Sequence, residues 1–129
     1  MIQLPTWMRV ALFATAAMNL AGSAAFIPAA NGLREFSGLP EAGHPLYIAT
    51  VGLFIFTFGL GYLYAALTAR ADRLFIAVAA GGKLSFFGLL VALWVTGDLP
   101  GMIPLAGIGD LVFGTLFLIW LFRAEPAPR

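Results

Sequence analysis

The chain has 129 residues, of which 61% are hydrophobic and 10% are charged. Soluble domains carry about 25% charged residues, so this sequence has too few charges to cover a water-facing surface and predicts a protein embedded in lipid. The formal net charge of +1 does not indicate a nucleic-acid partner. The sequence contains no cysteine, which excludes disulfides, thiolate metal sites and a cysteine nucleophile.

Four apolar runs follow one another along the chain, and each approaches the roughly 20 residues that a helix needs to cross the hydrocarbon core. We place them at residues 7–27, 46–69, 74–96 and 104–122. Helices are expected because, in lipid, each backbone polar group must find a partner within its own segment. The predicted fold is all-α: a single transmembrane domain over residues 1–129, built as an antiparallel four-helix bundle.

The first run also has features of a cleaved signal peptide, because Arg9 precedes the apolar residues and small residues follow at 21–25. Two observations favour a retained helix instead. Trp7 stands beside Arg9, as an interfacial anchor would, and Asn19 interrupts the apolar stretch.

Basic residues are distributed unequally between the two sides of this arrangement. One side has Arg34 alone, in the long loop at residues 28–45, and the other has five arginines: Arg9, Arg70, Arg73, Arg123 and Arg129. Since basic residues concentrate on the cytoplasmic side, we expect both termini and the tight turn at residues 70–73 to be cytoplasmic. The long loop and the third connection, residues 97–103, then face outward.

Each predicted helix carries one polar residue at a similar depth. With a rise of about 1.5 Å per residue, Lys83 lies ~14 Å from the cytoplasmic boundary, and Asn19, Thr57 and Asp110 lie ~18 Å from it. Two polar faces pass through this layer. On helix 1 the face consists of Thr15, Asn19 and Ser23, and on helix 2 of Thr50, Thr57 and Tyr64. We expect both faces to point into the bundle.

Lys83 and Asp110 are the two charges in this layer. One charge at the centre of a bilayer costs about 2.5–3.5 kcal/mol or more, so we predict that these side chains face each other. Asn19 and Thr57 would complete the hydrogen bonds. Two interpretations remain open: the cluster fixes helix register, or it is a functional site such as a proton relay or a pocket for a polar head group. The candidate residues are Lys83, Asp110, Asn19, Thr57 and Tyr64.

The long loop offers two further candidates. His44 is the only histidine, and one histidine with scattered carboxylates is a weak metal signal, so we expect it to order the entry to helix 2 and expect no metal. Arg34 and Glu35 could form a surface ion pair. We favour a short amphipathic segment folded over the outer mouth, with Leu33, Phe36 and Leu39 at the interface.

The stretches GGKLSFFGLLVALWVTGDLP (residues 81–100) and GIGDLVFGTLFLIWL (residues 107–121) resemble small bacterial four-helix inner-membrane proteins, broadly those called DoxX-like. The resemblance extends over the whole chain in architecture and implies a multi-pass protein of the bacterial inner membrane. It carries no function onto particular residues.

The sequence contains no nucleotide-binding motif, no paired carboxylates and no Ser/His/Asp arrangement, so we expect neither an enzyme nor a cofactor. We predict binding of a small or lipid-like molecule, with Lys83 as cationic anchor and Asp110 as its counter-ion, or a role as accessory subunit of a larger membrane complex. Phenylalanines such as Phe86 could line an apolar pocket, although core or lipid-facing positions are more usual. The alternative is a small transporter or channel that works as a homo-oligomer and uses the Lys83/Asp110 layer for proton or ion coupling.

Overall fold

A computed structural model of the protein describes residues 1–40, 43–99, 101 and 107–123. The described chain is mostly helical. Its elements, in order, are β1 (Ile2–Gln3), α1 (Thr6–Gly22) followed by a 3-10 turn (Ser23–Phe26), α2 (Asn31–Phe36), α3 (Pro45–Thr68), β2 (Arg70–Ala71), α4 (Arg73–Val95) and α5 (Ile108–Arg123).

Three segments are long and apolar enough to cross a membrane: Thr6–Phe26, Pro45–Thr68 and Arg73–Val95. They coincide with the first three predicted helices to within one residue at each end. The fourth helix, α5, has 16 described residues. The predicted start of that helix, at residue 104, lies outside the described part of the chain.

Local capping explains where the two central helices begin. His44 precedes α3, and its Nδ1 accepts a hydrogen bond of 3.1 Å from the backbone N–H of Leu46, which confirms its predicted role at the entry to this helix. Asp72 precedes α4 and accepts bonds from the N–H groups of Leu74 and Phe75, at 2.9 and 3.3 Å. Such side-chain acceptors satisfy N–H groups that have no partner within the helix.

A two-stranded sheet closes one end of the molecule. This end, here called the arginine end, carries Arg9, Arg70, Arg73 and Arg123. β1 pairs antiparallel with β2, with Ile2 opposite Ala71. The next residue, Leu4, donates its N–H to the carbonyl of Ala69 at 2.9 Å. The N-terminal residues therefore fasten the turn between α3 and α4.

Two arginines at this end cap neighbouring helices. Arg9 Nε donates to the carbonyl oxygen of Ala66 at 2.7 Å, and Arg73 Nη2 donates to that of Leu121 at 2.8 Å. Both carbonyls belong to the last turn of a helix, where a positive charge complements the helix dipole. These arginines therefore have a local structural role in addition to any role in orientation.

The helices pack in pairs. α1 lies along α3, α4 lies along α5, and α1 also contacts α5. The main core is in the arginine half and includes Met8, Leu12, Tyr62, Ile76, Phe117 and Trp120. There α3 and α4 meet through side chains, since the rings of Phe58 and Phe75 stack with centroids 5.9 Å apart.

The opposite end, here called the loop end, contains α2 and the connections around it. α2 lies within the long loop for which a short amphipathic segment over the outer mouth was predicted. Its Phe36 is 92% exposed, whereas Arg34 on the same helix is buried. In this helix the arginine therefore faces the protein, whereas Glu35 and Phe36 face outward.

Candidate functional site

A polar cluster of Lys83, Asp110 and Asn19 joins the middle of α4 to the last turn of α1 and the first turn of α5. Lys83 Nζ lies 3.1 Å from Asp110 Oδ1 and donates to Asn19 Oδ1 at 3.2 Å. Asn19 in turn donates from Nδ2 to the carbonyl oxygen of Ile55 at 3.1 Å. The predicted contact between Lys83 and Asp110 is therefore present, and the cluster connects α1, α3, α4 and α5.

Aromatic rings complete the surroundings of the ammonium group. Lys83 Nζ lies 5.2 Å from the ring centroid of Tyr62 and 5.9 Å from that of Phe113, both within the distance at which a cation is attracted to a ring face. The Lys83 side chain is 5% exposed and that of Asp110 is 19% exposed. The observed contacts of this lysine are thus all made inside the protein.

Backbone features place the two charges. Asp110 is in the first turn of α5, where the helix dipole favours a negative charge. Gly114, one turn later, lets α4 approach, because a Cβ at this position would lie 3.4 Å from Lys83 Cβ and 2.8 Å from Leu84 Cγ. Small size at residue 114 therefore helps to bring the amine to the carboxylate.

The prediction was wrong for the polar face of α3. Thr50, Thr57 and Tyr64 are all exposed, so neither Thr57 nor Tyr64 belongs to the cluster. The opposite face of α3, which carries Gly52, Gly59 and Tyr62, turns inward instead.

Two physical reasons explain this difference. Glycine allows the close approach of α1, and a threonine hydroxyl can be satisfied by its own helix without an inward partner. Thr50 shows the second effect, since its Oγ1 donates to the carbonyl of Leu46 at 2.6 Å.

The polar face of α1 does turn inward. Asn19 is half-buried and Thr15, one turn before it, is 0% exposed. Within the described residues, Thr15 Oγ1 is fully enclosed and has no hydrogen-bond partner. A buried hydroxyl without a partner lowers stability by about 1–3 kcal/mol, so Thr15 is a weak point beside the cluster.

We therefore expect Thr15→Val to leave stability unchanged or raise it, because valine keeps the shape and removes the unpaired hydroxyl. Asn19→Leu serves as the matched comparison on the same face. It should cost about 1–3 kcal/mol, since it leaves the Lys83 ammonium with one oxygen fewer. Unfolding in detergent by graded addition of dodecyl sulfate measures the stability of both variants. An equal loss of stability in Thr15→Val and Asn19→Leu would contradict the assignment of an unpaired hydroxyl at Thr15 and a bonded amide at Asn19.

A second feature is an apolar groove of about 350 Å³ between α3 and α4 at the loop end. Within the described part of the chain, no buried core cluster joins the two helices at this end. Tyr47, Ile48 and Val51 line the groove on the α3 side, and Phe86, Leu90 and Leu93 line it on the α4 side. None of the five predicted site residues is among the lining residues, but Phe86, which the sequence suggested as a possible lining residue of an apolar pocket, is one of them.

Arg34 is the charged residue of the groove wall. It is 5% exposed, and α2 directs its side chain back toward the end of the 3-10 turn. The guanidinium donates to the carbonyl oxygens of Ala25 at 3.1 Å, Ile27 at 2.7 Å and Pro28 at 2.9 Å. It forms no ion pair with Glu35 or with any other described residue, so the surface-pair interpretation is not supported.

No protein-family model, curated protein or solved structure matches this chain. The resemblance to DoxX-like proteins stays a prediction. The described residues also hold no group of three or more His, Cys, Asp or Glu side chains placed to bind a metal ion. The polar cluster and the groove are therefore the two features of the described chain that bear on function.

Proposed function

We propose that the chain is a multi-pass membrane protein, an antiparallel four-helix bundle with cytoplasmic termini, that binds one lipid-like molecule in the groove between α3 and α4. The observation that carries this proposal is the groove itself, which has apolar walls and a volume of about 350 Å³. Ligand pockets span roughly 300–1,000 Å³, so the groove is of a size for a small ligand or one acyl chain.

The shape of the groove supports an elongated, apolar ligand. From Phe86 to Leu93 it extends about 10 Å along α4, at 1.5 Å per residue. Several of its lining residues are also exposed, among them Val51 on α3 and Leu89 on α4. The groove is therefore open at its edges, and a lipid-like molecule can enter sideways from the bilayer.

The arginine distribution supports the proposed orientation. Arg9, Arg70, Arg73 and Arg123 all lie at one end of the described structure, and Arg34 lies at the other. Under the positive-inside rule the arginine end is cytoplasmic, which puts the groove in the outer half of the membrane. The bacterial inner membrane is the compartment that the sequence resemblance implies.

The polar cluster has a supporting role in this proposal. Lys83 is about one helical turn from Phe86, at the inner end of the groove. Its contacts with Asp110, Asn19 and the ring of Tyr62 hold the helices together where the groove stops. We therefore place the ligand in the groove, with the cluster as its inner boundary, and do not assign Lys83 as the anchor.

The test is native mass spectrometry of protein extracted in mild detergent, comparing wild type with Ile48→Trp. Ile48 is half-buried in the groove wall, so an indole there should fill the groove and remove most of a co-purifying lipid-like adduct. Leu67→Trp is the matched control, because Leu67 is an exposed residue on the same helix outside the groove. Equal retention of adducts by both variants would refute binding in the groove.

A further inference from the structure

We infer that the molecule bound in the groove is an anionic amphiphile, with one acyl chain and a carboxylate head group held by Arg34. This inference rests on the proposed function and adds the chemical class of the ligand.

The guanidinium group of Arg34 has one N–H left over. Nη1 donates to Ala25 and Ile27, and Nη2 donates to Pro28 and to the side-chain oxygen of Asn31. Arginine has five N–H donors, so these four bonds leave only the Nε–H. Nε has no hydrogen-bond partner among the described residues and is not one of their fully enclosed unpartnered atoms, so it is the donor of this guanidinium that remains for a ligand.

Among the described residues, the charge of Arg34 is also left without a full counter-charge. Its partners are three carbonyls and one amide oxygen, which are neutral, although the end of a helix offsets part of a positive charge. Glu35 and Asp98, in the flanking segments, are exposed and do not line the groove. A buried charge is costly unless it is paired, so an anion in the groove would stabilise this side chain.

The position of Arg34 defines the orientation of the ligand. Arg34 lines the groove at the loop end, near Tyr47 in the first turn of α3, and the positive end of the α3 dipole lies at the same place. The opposite end of the groove is apolar at Phe86. An amphiphile with its head at Arg34 and its chain toward Phe86 matches both ends.

The free N–H of Arg34 and the volume of the groove further restrict the chemical class of the ligand. One N–H and one positive charge suit a singly charged carboxylate, which can accept a short charge-assisted bond. A phosphate monoester head group carries more than one negative charge near neutral pH, which a single arginine does not neutralise. The volume of about 350 Å³ leaves room for one chain, so the structure assigns a fatty acid.

The decisive comparison uses wild-type protein in nanodiscs of zwitterionic lipid, titrated with palmitate, hexadecanol and hexadecyl phosphate. The three probes share one chain and differ in the head group. At alkaline pH, where the acid is ionised, we expect palmitate to bind at least about tenfold more tightly than hexadecanol, since a hydrogen bond between charged groups contributes that much. Calorimetry or native mass spectrometry gives the affinities.

Arg34→Gln should abolish this preference, so that the variant binds palmitate and hexadecanol with about equal affinity. Arg70→Gln is the matched control, because Arg70 is an exposed arginine at the other end of the molecule, and it should keep the wild-type preference. Since Arg34 also holds the 3-10 turn, the variant could fail to fold. In that case the relative affinities of the wild-type protein for palmitate, hexadecanol and hexadecyl phosphate test the head-group assignment by themselves.

Each outcome separates this inference from the proposed function. Equal affinity for palmitate and hexadecanol, with both lost in Ile48→Trp, would overturn the anionic head group and leave lipid binding intact. Tighter binding of hexadecyl phosphate than of palmitate would overturn the carboxylate assignment. Absence of saturable binding for all three probes would overturn the proposed function itself.

Discussion

Asp110→Leu is expected to lower the free energy of unfolding by about 3–5 kcal/mol, and adding Lys83→Met to the same chain is expected to recover most of that loss. The single substitution leaves the Lys83 ammonium, only 5% exposed, without its counter-charge. The double substitution removes both charges and replaces them with apolar side chains of similar size. Lys83→Met therefore removes the unpaired ammonium that Asp110→Leu leaves in the protein interior.

The two single substitutions should differ in size. Lys83→Met leaves the Asp110 carboxylate unpaired, but this group is 19% exposed and lies in the first turn of α5, where the helix dipole stabilises it. We therefore expect Lys83→Met to cost less than Asp110→Leu. A larger loss of stability for Lys83→Met than for Asp110→Leu would show that the carboxylate is the more enclosed of the two charges.

Unfolding of the four proteins by graded addition of dodecyl sulfate measures this cycle. Thr57→Val is the control, because Thr57 is an exposed polar residue at similar depth on α3, and surface substitutions of this kind change stability by less than about 0.5 kcal/mol. Additive losses in the double variant would show that Lys83 and Asp110 do not stabilise each other.

Helix positions and the central charge pair could be predicted from the sequence. The first three helices follow from long apolar runs between short breaks, and lipid leaves the backbone few alternatives to a helix. The pairing of Lys83 with Asp110 follows from the cost of isolated charges at similar depth. In both cases a strong physical penalty excludes the alternatives.

The inward face of α3 could not be predicted from polarity. A threonine bonded to the backbone of its own helix, as Thr50 is, loses little when it faces outward, so the threonine positions predicted the wrong face of α3. The positions of Gly52 and Gly59 were a better signal, because helices approach closely at small residues. A Cβ on Gly52 would lie 2.9 Å from Phe26 Cβ, which places this face against the end of the first transmembrane segment.

The groove and the pairing of β1 with β2 depend on tertiary geometry. The groove forms because α3 and α4 meet at Phe58 and Phe75 in one half and, within the described part of the chain, are joined by no buried core cluster in the other. Nothing local in the sequence specifies that divergence. Arg34 similarly contacts carbonyls that precede it by six to nine residues, so a chain reversal places it in the groove wall.

Gly59→Leu is expected to produce the second large loss of stability, of about 1–3 kcal/mol or more, the usual cost of inserting atoms into a packed interface. Even a single Cβ at this position would lie 3.0 Å from Leu20 Cδ2 and 3.1 Å from Asn19 Cβ. The Leu20 side chain can rotate away. Asn19 Cβ cannot, because it is fixed to the backbone of α1, so a longer side chain must push α1 away from α3.

The displacement of α1 should also disturb the polar cluster, and this distinguishes Gly59→Leu from a substitution that only crowds the α1–α3 interface. Asn19 bonds both to Ile55 on α3 and to Lys83 on α4, and a displaced α1 cannot keep both contacts. Gly59→Leu and Asn19→Leu should therefore cost less together than the sum of their separate costs. Gly81→Leu is the control, since nothing lies within 4 Å of a Cβ there, and it should be nearly neutral. Strict additivity of residues 59 and 19 would show that the α1–α3 interface and the cluster are independent.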